Sequence, residues 1–466
     1  MASNGKQWVL LAAGSTGWEN YRHQADVCHA YQVVRQNGIP DEQIVVMMYD
    51  DIAYNEENPF PGNVINVPRG PDVYDGVPKD YTGQHVSAEN FLAVLRGDSR
   101  AIRKRGRKKV IKSRANDSIF IYLSDHGGHG VFQFPNSTLY AHDLIDTVRE
   151  MSRNGKFSQM VIYMEACHAG SMLDALPQLG NAYAVAASTP DESSYACFFD
   201  KKRNAYIADI FTAYWLNHTK RKNLRFSTLE EQFHYIKEKV RETVAEWGVS
   251  QTPCHYGNMF MLQLPLSEFL GQSSGDVRRI YKSQSRNFEV TDVVESANVP
   301  LLIQQNRIRK ERNPRRREAL EREHNDLKRK RSTMDKAVQK IAQRCTSDRG
   351  LRALSEKHEV TRTYALKSVA EHFRTTVFNW DEEPFVFTHS HLQVLVNLCE
   401  CGLEVRSITA AIDYVGQRFS SKEKHKQSYG ATADFILSQT LHCDWLSVLY
   451  MQSYKMSFVY KKHVLS

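Results

Sequence analysis

Paired Cys-x-x-Cys units are missing from the eight cysteines of this 466-residue chain, so zinc-ribbon spacing is excluded. Eight thiols in so long a chain also do not make a disulfide scaffold. No run of about 18 apolar residues occurs, which leaves no candidate transmembrane helix. The opening stretch, "MASNGKQWVLLAAGSTGW", has a short apolar run with no cleavage-site pattern behind it, and reads as a first strand rather than a signal peptide. Aromatic residues are absent from the basic run at 100–114 and from the other at 307–331, within a formal charge of +8. Without rings to stack on bases, these runs read as a solvated loop and a charged helix. Neither nucleic acid nor a membrane is therefore an expected partner.

What is present is an alternation of strand-like and helix-like segments through the first 265 residues. "QWVLLAAG" (7–14) and "QIVVMMYD" (43–50) are strand candidates flanking a predicted helix at 25–38 that Gly38 closes. Near-continuous apolar runs follow at 118–127, 160–170 and 182–188. Such runs alternating with helices predict an α/β fold with a mostly parallel sheet covered on both faces. Residues 266–310 are polar and weakly periodic, a predicted linker, and 311–419 predict a helical unit. The segment 420–466 supports no structural expectation.

Two of the apolar runs end in reactive residues, "SDHGGHG" and "EACHAG". Ligands in open parallel sheets bind beyond the carboxyl ends of the strands. A thiol peptidase needs a nucleophile, an imidazole within reach and donors for an oxyanion. Cys167 and His126 supply the first two. The N–H groups of Gly127 and Cys167 are candidate oxyanion donors, since Gly127 carries no Cβ to block their approach. A zinc site built from His126, His129, Cys167 and His168 competes for the same residues.

These residues sit within longer stretches, "YRHQADVCHAYQVVRQNGIPDEQIVVMMYDDIA", "DVYDGVPKDYTG", "NFLAVLRGD", "DHG", "EAC" and "ESSYAC", that resemble the legumain family. These are asparaginyl endopeptidases of the caspase-like clan of cysteine proteases. The likeness runs from about residue 8 to 265, and more weakly to about 416 through "HFRTTVFNW" and "LQVLVNLCE". It implies a caspase-like peptidase domain (1–265), an activation linker (266–310) and a helical prodomain (311–419) that acts as an intramolecular inhibitor. It further implies Cys167 as nucleophile, His126 as catalytic histidine supported by Asn20, and an Asn pocket of Arg22, His23, Glu165, Ser194 and Asp209. Asp125 takes the place of an aspartate that the family can convert to a succinimide. Autoprocessing is expected after Asn306 in the linker. Substrates would be proteins and peptides, with cystatin-type inhibitors as further partners, no cofactor, and a lysosomal, vacuolar or secreted location.

The resemblance has gaps. The family acid after the nucleophile is His168 here, and Ser390 stands where its prodomain arginine partner is expected. Of four prodomain cysteine positions, Cys399 matches, while Val377 and Gly416 occupy two others. Sequons at Asn116, Asn136 and Asn217 permit glycosylation. A glycosylphosphatidylinositol transamidase-like subunit and an inactive homologue acting as a basic binding protein stay open as alternatives.

Overall fold

The computed structural model describes residues 5–102, 106, 108–176, 180–272, 288–345 and 351–418. Its main sheet has six strands: β1 (Gln7–Ala13), β2 (Ile44–Met47), β3 (Ser118–Ser124), β7 (Gln159–Glu165), β8 (Ala182–Ala186) and β11 (Cys254–Gly257). Their order is β11-β8-β7-β3-β1-β2, parallel except for β11. The apolar runs are continuous because both faces are covered. Leu11, Phe120, Tyr122, Val161 and Tyr163 share one core with α1 (Tyr21–Gln36), α4 (Ile210–Arg221) and α5 (Leu229–Ala245). The alternate residues Leu10, Ile119, Ile121, Met160 and Ile162 share another with α2 (Ala88–Arg96) and α3 (Ala141–Arg153). Each such fully buried side chain stabilises the fold by roughly 1.5–3 kcal/mol.

Strand ends are fixed by register. β3 and β7 pair from Ser118↔Gln159 to Ser124↔Glu165, and the Asp125 N–H extends the ladder to the Glu165 carbonyl at 3.1 Å. Whatever follows Ser124 and Glu165 is therefore delivered to the same edge.

Short strands missed by the apolar-run reading build that edge. β4 (Gly127–Gly128), β5 (Val131–Phe134) and β6 (Ser137–Tyr140) form an antiparallel sheet directly after His126. β9 (Tyr195–Asp200) pairs with both β10 (Ala205–Asp209) and β12 (Val293–Glu295), each antiparallel. The 266–310 segment thus carries structure of its own: α6 (Ser267–Leu270), β12 and α7 (Val299–Lys310).

The helical unit comprises α8 (Pro314–Arg344), α9 (Thr363–Thr376), α10 (His389–Glu400) and a final helix at 405–418. Asn313 caps α8, accepting from the N–H groups of Arg315 and Arg316, and Pro314 fits its first turn, where an N–H would have no partner. The core of this unit includes Val131 and Tyr140 of the β5–β6 hairpin, so the two units share an interface. No helix among the described residues is long and apolar enough to cross a membrane. Of the three sequons, Asn217 is buried inside α4 with its amide donating to the Tyr235 hydroxyl at 3.1 Å, which removes it as an accessible acceptor. Residues 420–466 lie outside the described residues.

Candidate active site

His126 stands two residues beyond the end of β3 and Cys167 two beyond the end of β7, in register across adjacent parallel strands. Both line one cavity of about 50 Å³. That is room for a few water molecules but not for a stretch of peptide. Gly127 is required by packing, because a Cβ there would lie 2.5 Å from the Cys167 carbonyl oxygen. His168 holds a left-handed backbone (φ 57°), a conformation uncommon for a residue with a Cβ. It is held there by its N–H on the Glu192 carbonyl (2.8 Å) and its Nδ1 on the Pro190 carbonyl (2.7 Å).

The His126 ring donates through Nε2 to the Asn20 Oδ1 at 2.8 Å, and the Asn20 amide in turn donates to the Thr16 carbonyl. The Cys167 Sγ accepts from the Ser194 N–H at 3.2 Å and lies 3.5 Å from the Ser194 Oγ. Burial pushes the Cys167 thiol up to about 11, despite the Ser194 hydrogen bonds. Burial, helped by the charges of Arg22 and Arg331, holds His126 down to about 3. In this closed state the pair is a neutral thiol and a neutral imidazole.

Behind them lies a buried charged cluster. Arg22 Nε donates to Asp209 Oδ1 at 2.8 Å, and His23, kept neutral by burial between Asp125 and Asp209, has its Nδ1 2.7 Å from the Ser15 hydroxyl. Glu165 accepts from both the N–H and the hydroxyl of Thr212 at 3.0 Å through one oxygen only. Three neighbouring atoms are buried without partners: Arg22 Nη2, Glu165 Oε1 and Asp209 Oδ2. Burial first, then repulsion from Asp209, raises Glu165 well above the ordinary carboxylate range. Asp26 was not singled out from the sequence, yet it joins this cluster, fully buried and raised by burial and by Asp209 and Glu165. The sequence offers for it only an acid one turn after Arg22 on a helix whose buried face also carries His23, Gln24 and His29.

The cavity is closed from outside by residues far along the chain. Ala297, Arg331, Phe385, His389 and Leu392 line it opposite Cys167 and His126. Arg331 clasps this cover, donating to the Phe385 and Ala297 carbonyls at 2.8 Å each. β12 runs along β9, and the Ser296 N–H continues it onto the Ser194 carbonyl at 3.0 Å. Asn306 lies partly buried within α7, and its neighbour Arg307 is tied to Glu19 and Glu57. Among the described residues, the side chains that converge tightly enough to ligate one ion are His23, Asp125 and His126, and separately Glu356, His358 and Cys401. The His126, His129, Cys167 and His168 set does not converge in that way.

A thiol and an imidazole brought to one cavity at the carboxyl edge of a parallel sheet define the class as a cysteine peptidase. Residues 7–272 match the Peptidase C13 family, and the chain belongs to that family. It is 42% identical to the legumain of Homo sapiens over 415 residues, covering 88% of this chain and 93% of that protein. It is 45% identical over 263 residues to the vacuolar-processing enzyme beta-isozyme of Arabidopsis thaliana, covering 54% of each. A solved caspase-1 from Spodoptera frugiperda shares 11% identity over 59% of this chain and 92% of its own, with a TM-score of 0.34. The chain is a cysteine endopeptidase of the caspase-like clan.

Proposed function

We propose that the protein is an asparaginyl endopeptidase held latent by its own helical unit. The observation that carries this reading is the set of unpartnered buried atoms beside the thiol, one donor on Arg22 and one acceptor each on Glu165 and Asp209. A side-chain amide offers the complement, an acceptor oxygen and two donor hydrogens. His23 and Ser194 complete the pocket. An aspartate side chain would bring another carboxylate beside Glu165, Asp209 and Asp26, so its cleavage requires protonation and hence acid.

In the reaction Cys167 attacks the peptide carbonyl carbon. His126, oriented by Asn20, takes the thiol proton and passes it to the leaving amine. The N–H groups of Gly127 and Cys167 receive the oxyanion. Water then hydrolyses the acyl-enzyme. An amine that intercepts this acyl-enzyme yields ligation instead.

A 50 Å³ cavity admits no peptide, so the 311–418 unit must move before catalysis. Activation proceeds in acid, with cleavage after Asn306 once α7 unwinds, in a lysosomal or vacuolar compartment. Protein substrates, the chain's own prodomain and cystatin-type inhibitors are the partners. The test compares peptide substrates ending in Asn, Gln and Ala with acid-opened wild type and E165Q. Selectivity for Asn of at least about 100-fold, reduced in E165Q, supports the pocket. Equal turnover of Asn and Ala in wild type would refute it.

A further inference from the structure

The helical unit carries three cysteines among its described residues, Cys345, Cys399 and Cys401. Cys401 lies one residue beyond α10. Its Sγ is 3.7 Å from the His358 Nε2 and 3.8 Å from the Glu356 Oε2, and those two atoms are 2.8 Å apart. We infer that Glu356, His358 and Cys401 form a binding site for a divalent transition-metal ion that clips the 353–362 loop to the end of α10.

The ligand chemistry selects the ion class. A thiolate and an imidazole favour zinc or its neighbours, whereas calcium and magnesium demand oxygen donors. Tetrahedral zinc at about 2.3 Å from sulfur and about 2.0–2.1 Å from nitrogen and oxygen sets its ligands about 3.3–3.6 Å apart. The two sulfur distances lie within a few tenths of an ångström of that. The Glu356–His358 pair needs to open by about half an ångström as an ion replaces its hydrogen bond. A fourth position is left for water.

The backbone beneath the three ligands is already fixed. Buried Asn397 of α10 accepts from the His358 N–H at 3.0 Å and donates to the carbonyls of Ala353 (2.8 Å) and Glu356 (2.5 Å). Gln393, one turn earlier, donates to the His358 carbonyl at 3.0 Å. On the other flank Glu400 accepts from the N–H groups of Thr361 (2.9 Å) and Arg362 (2.8 Å). An ion therefore has only side-chain rotamers to order. Because Glu356 and Cys401 are 45 residues apart, a bond between them closes a long loop. Removing that freedom from the unfolded chain is what a disulfide does.

The probe is Co²⁺ added to the full chain, reduced and stripped of metal with a chelator. The expected result is a near-ultraviolet thiolate-to-cobalt absorption band that saturates at one equivalent. Zn²⁺ should displace the cobalt and raise the unfolding temperature by several degrees. C401S should lose both the band and the zinc-induced shift, and H358Q should weaken cobalt binding at least about tenfold. The circular dichroism of both variants should stay that of the wild type, since the two side chains are only half-buried. Absence of the band, or a band that persists in C401S, would overturn the assignment.

Discussion

Three imidazoles stack across the interface that closes the catalytic cavity. His129 and His168 come from the peptidase unit with ring centroids 4.1 Å apart, and His389 of α10 lies 4.8 Å from His168. This is the place where the resemblance implied an acid–arginine pair. Burial, then the neighbouring charges, holds His129 down to about 3 and His168 down to about 2. His389 is lowered by burial as well, with Glu295 at 3.9 Å opposing the shift and Lys357 and Arg331 adding to it.

A histidine lowered in the closed state is neutral there and protonates once released into water. The latch is therefore fully stabilising above the ordinary histidine pKa of about 6.5 and weakens as pH falls below it. Each such group costs the closed state at most about 1.4 kcal/mol per pH unit. His129 and His168 together set a ceiling of roughly 5 kcal/mol between pH 6.5 and 4.5, comparable to the whole stability of many domains. H168N removes one of the two while keeping a residue that tolerates the left-handed backbone. With one proton fewer driving release, the release midpoint should move further below about pH 6.5. Trp380, buried at the interface with its indole N–H on the Thr138 hydroxyl at 3.0 Å, reports opening by fluorescence. The titration is run in a C167S background to stop cleavage. A midpoint identical in H168N and its parent would refute the role of this cluster.

Other consequences can be measured independently. Opening should return the buried Cys167 thiol from about 11 toward its ordinary range, so alkylation by iodoacetamide at neutral pH should accelerate by on the order of 10²-fold. An unchanged rate would mean that the cover does not control the reactivity of this thiol. Arg22 is the guanidinium among the buried carboxyls Asp26, Glu165 and Asp209, so R22M should destabilise the fold by about 3–5 kcal/mol in denaturant unfolding. A loss under about 1 kcal/mol would contradict that account. R307A cuts α7 from Glu19 and Glu57 and should hasten cleavage after Asn306, read by mass spectrometry as a new amino terminus at position 307. Slower processing in R307A would show that this anchor does not restrain the helix.

The sequence made some of this legible and hid the rest for identifiable reasons. β3 and β7 were readable because burial on both faces leaves their apolar runs unbroken, and the residues after them showed where the thiol and imidazole go. β4, β5, β6 and β12 were not, because two to four residues of mixed polarity carry no period, and antiparallel pairing with a neighbour decides their state. Asp26 hid inside a helix that periodicity identified but whose inward acid only the strand ends of β7 and β10 explain. The His129, His168 and His389 stack joins residues more than two hundred positions apart, and no local pattern announces such a contact.

The central claim is that Cys167 attacks the carbonyl that follows an asparagine side chain seated on Arg22, Glu165 and Asp209. It is tested most directly by reacting the acid-opened protein with a peptide electrophile ending in Asn, alongside its Ala counterpart, and mapping the adduct by mass spectrometry. The account expects a single adduct on Cys167, formed with the Asn reagent and absent in C167A. Labelling spread over other cysteines, or equal labelling by the Ala reagent, would contradict it.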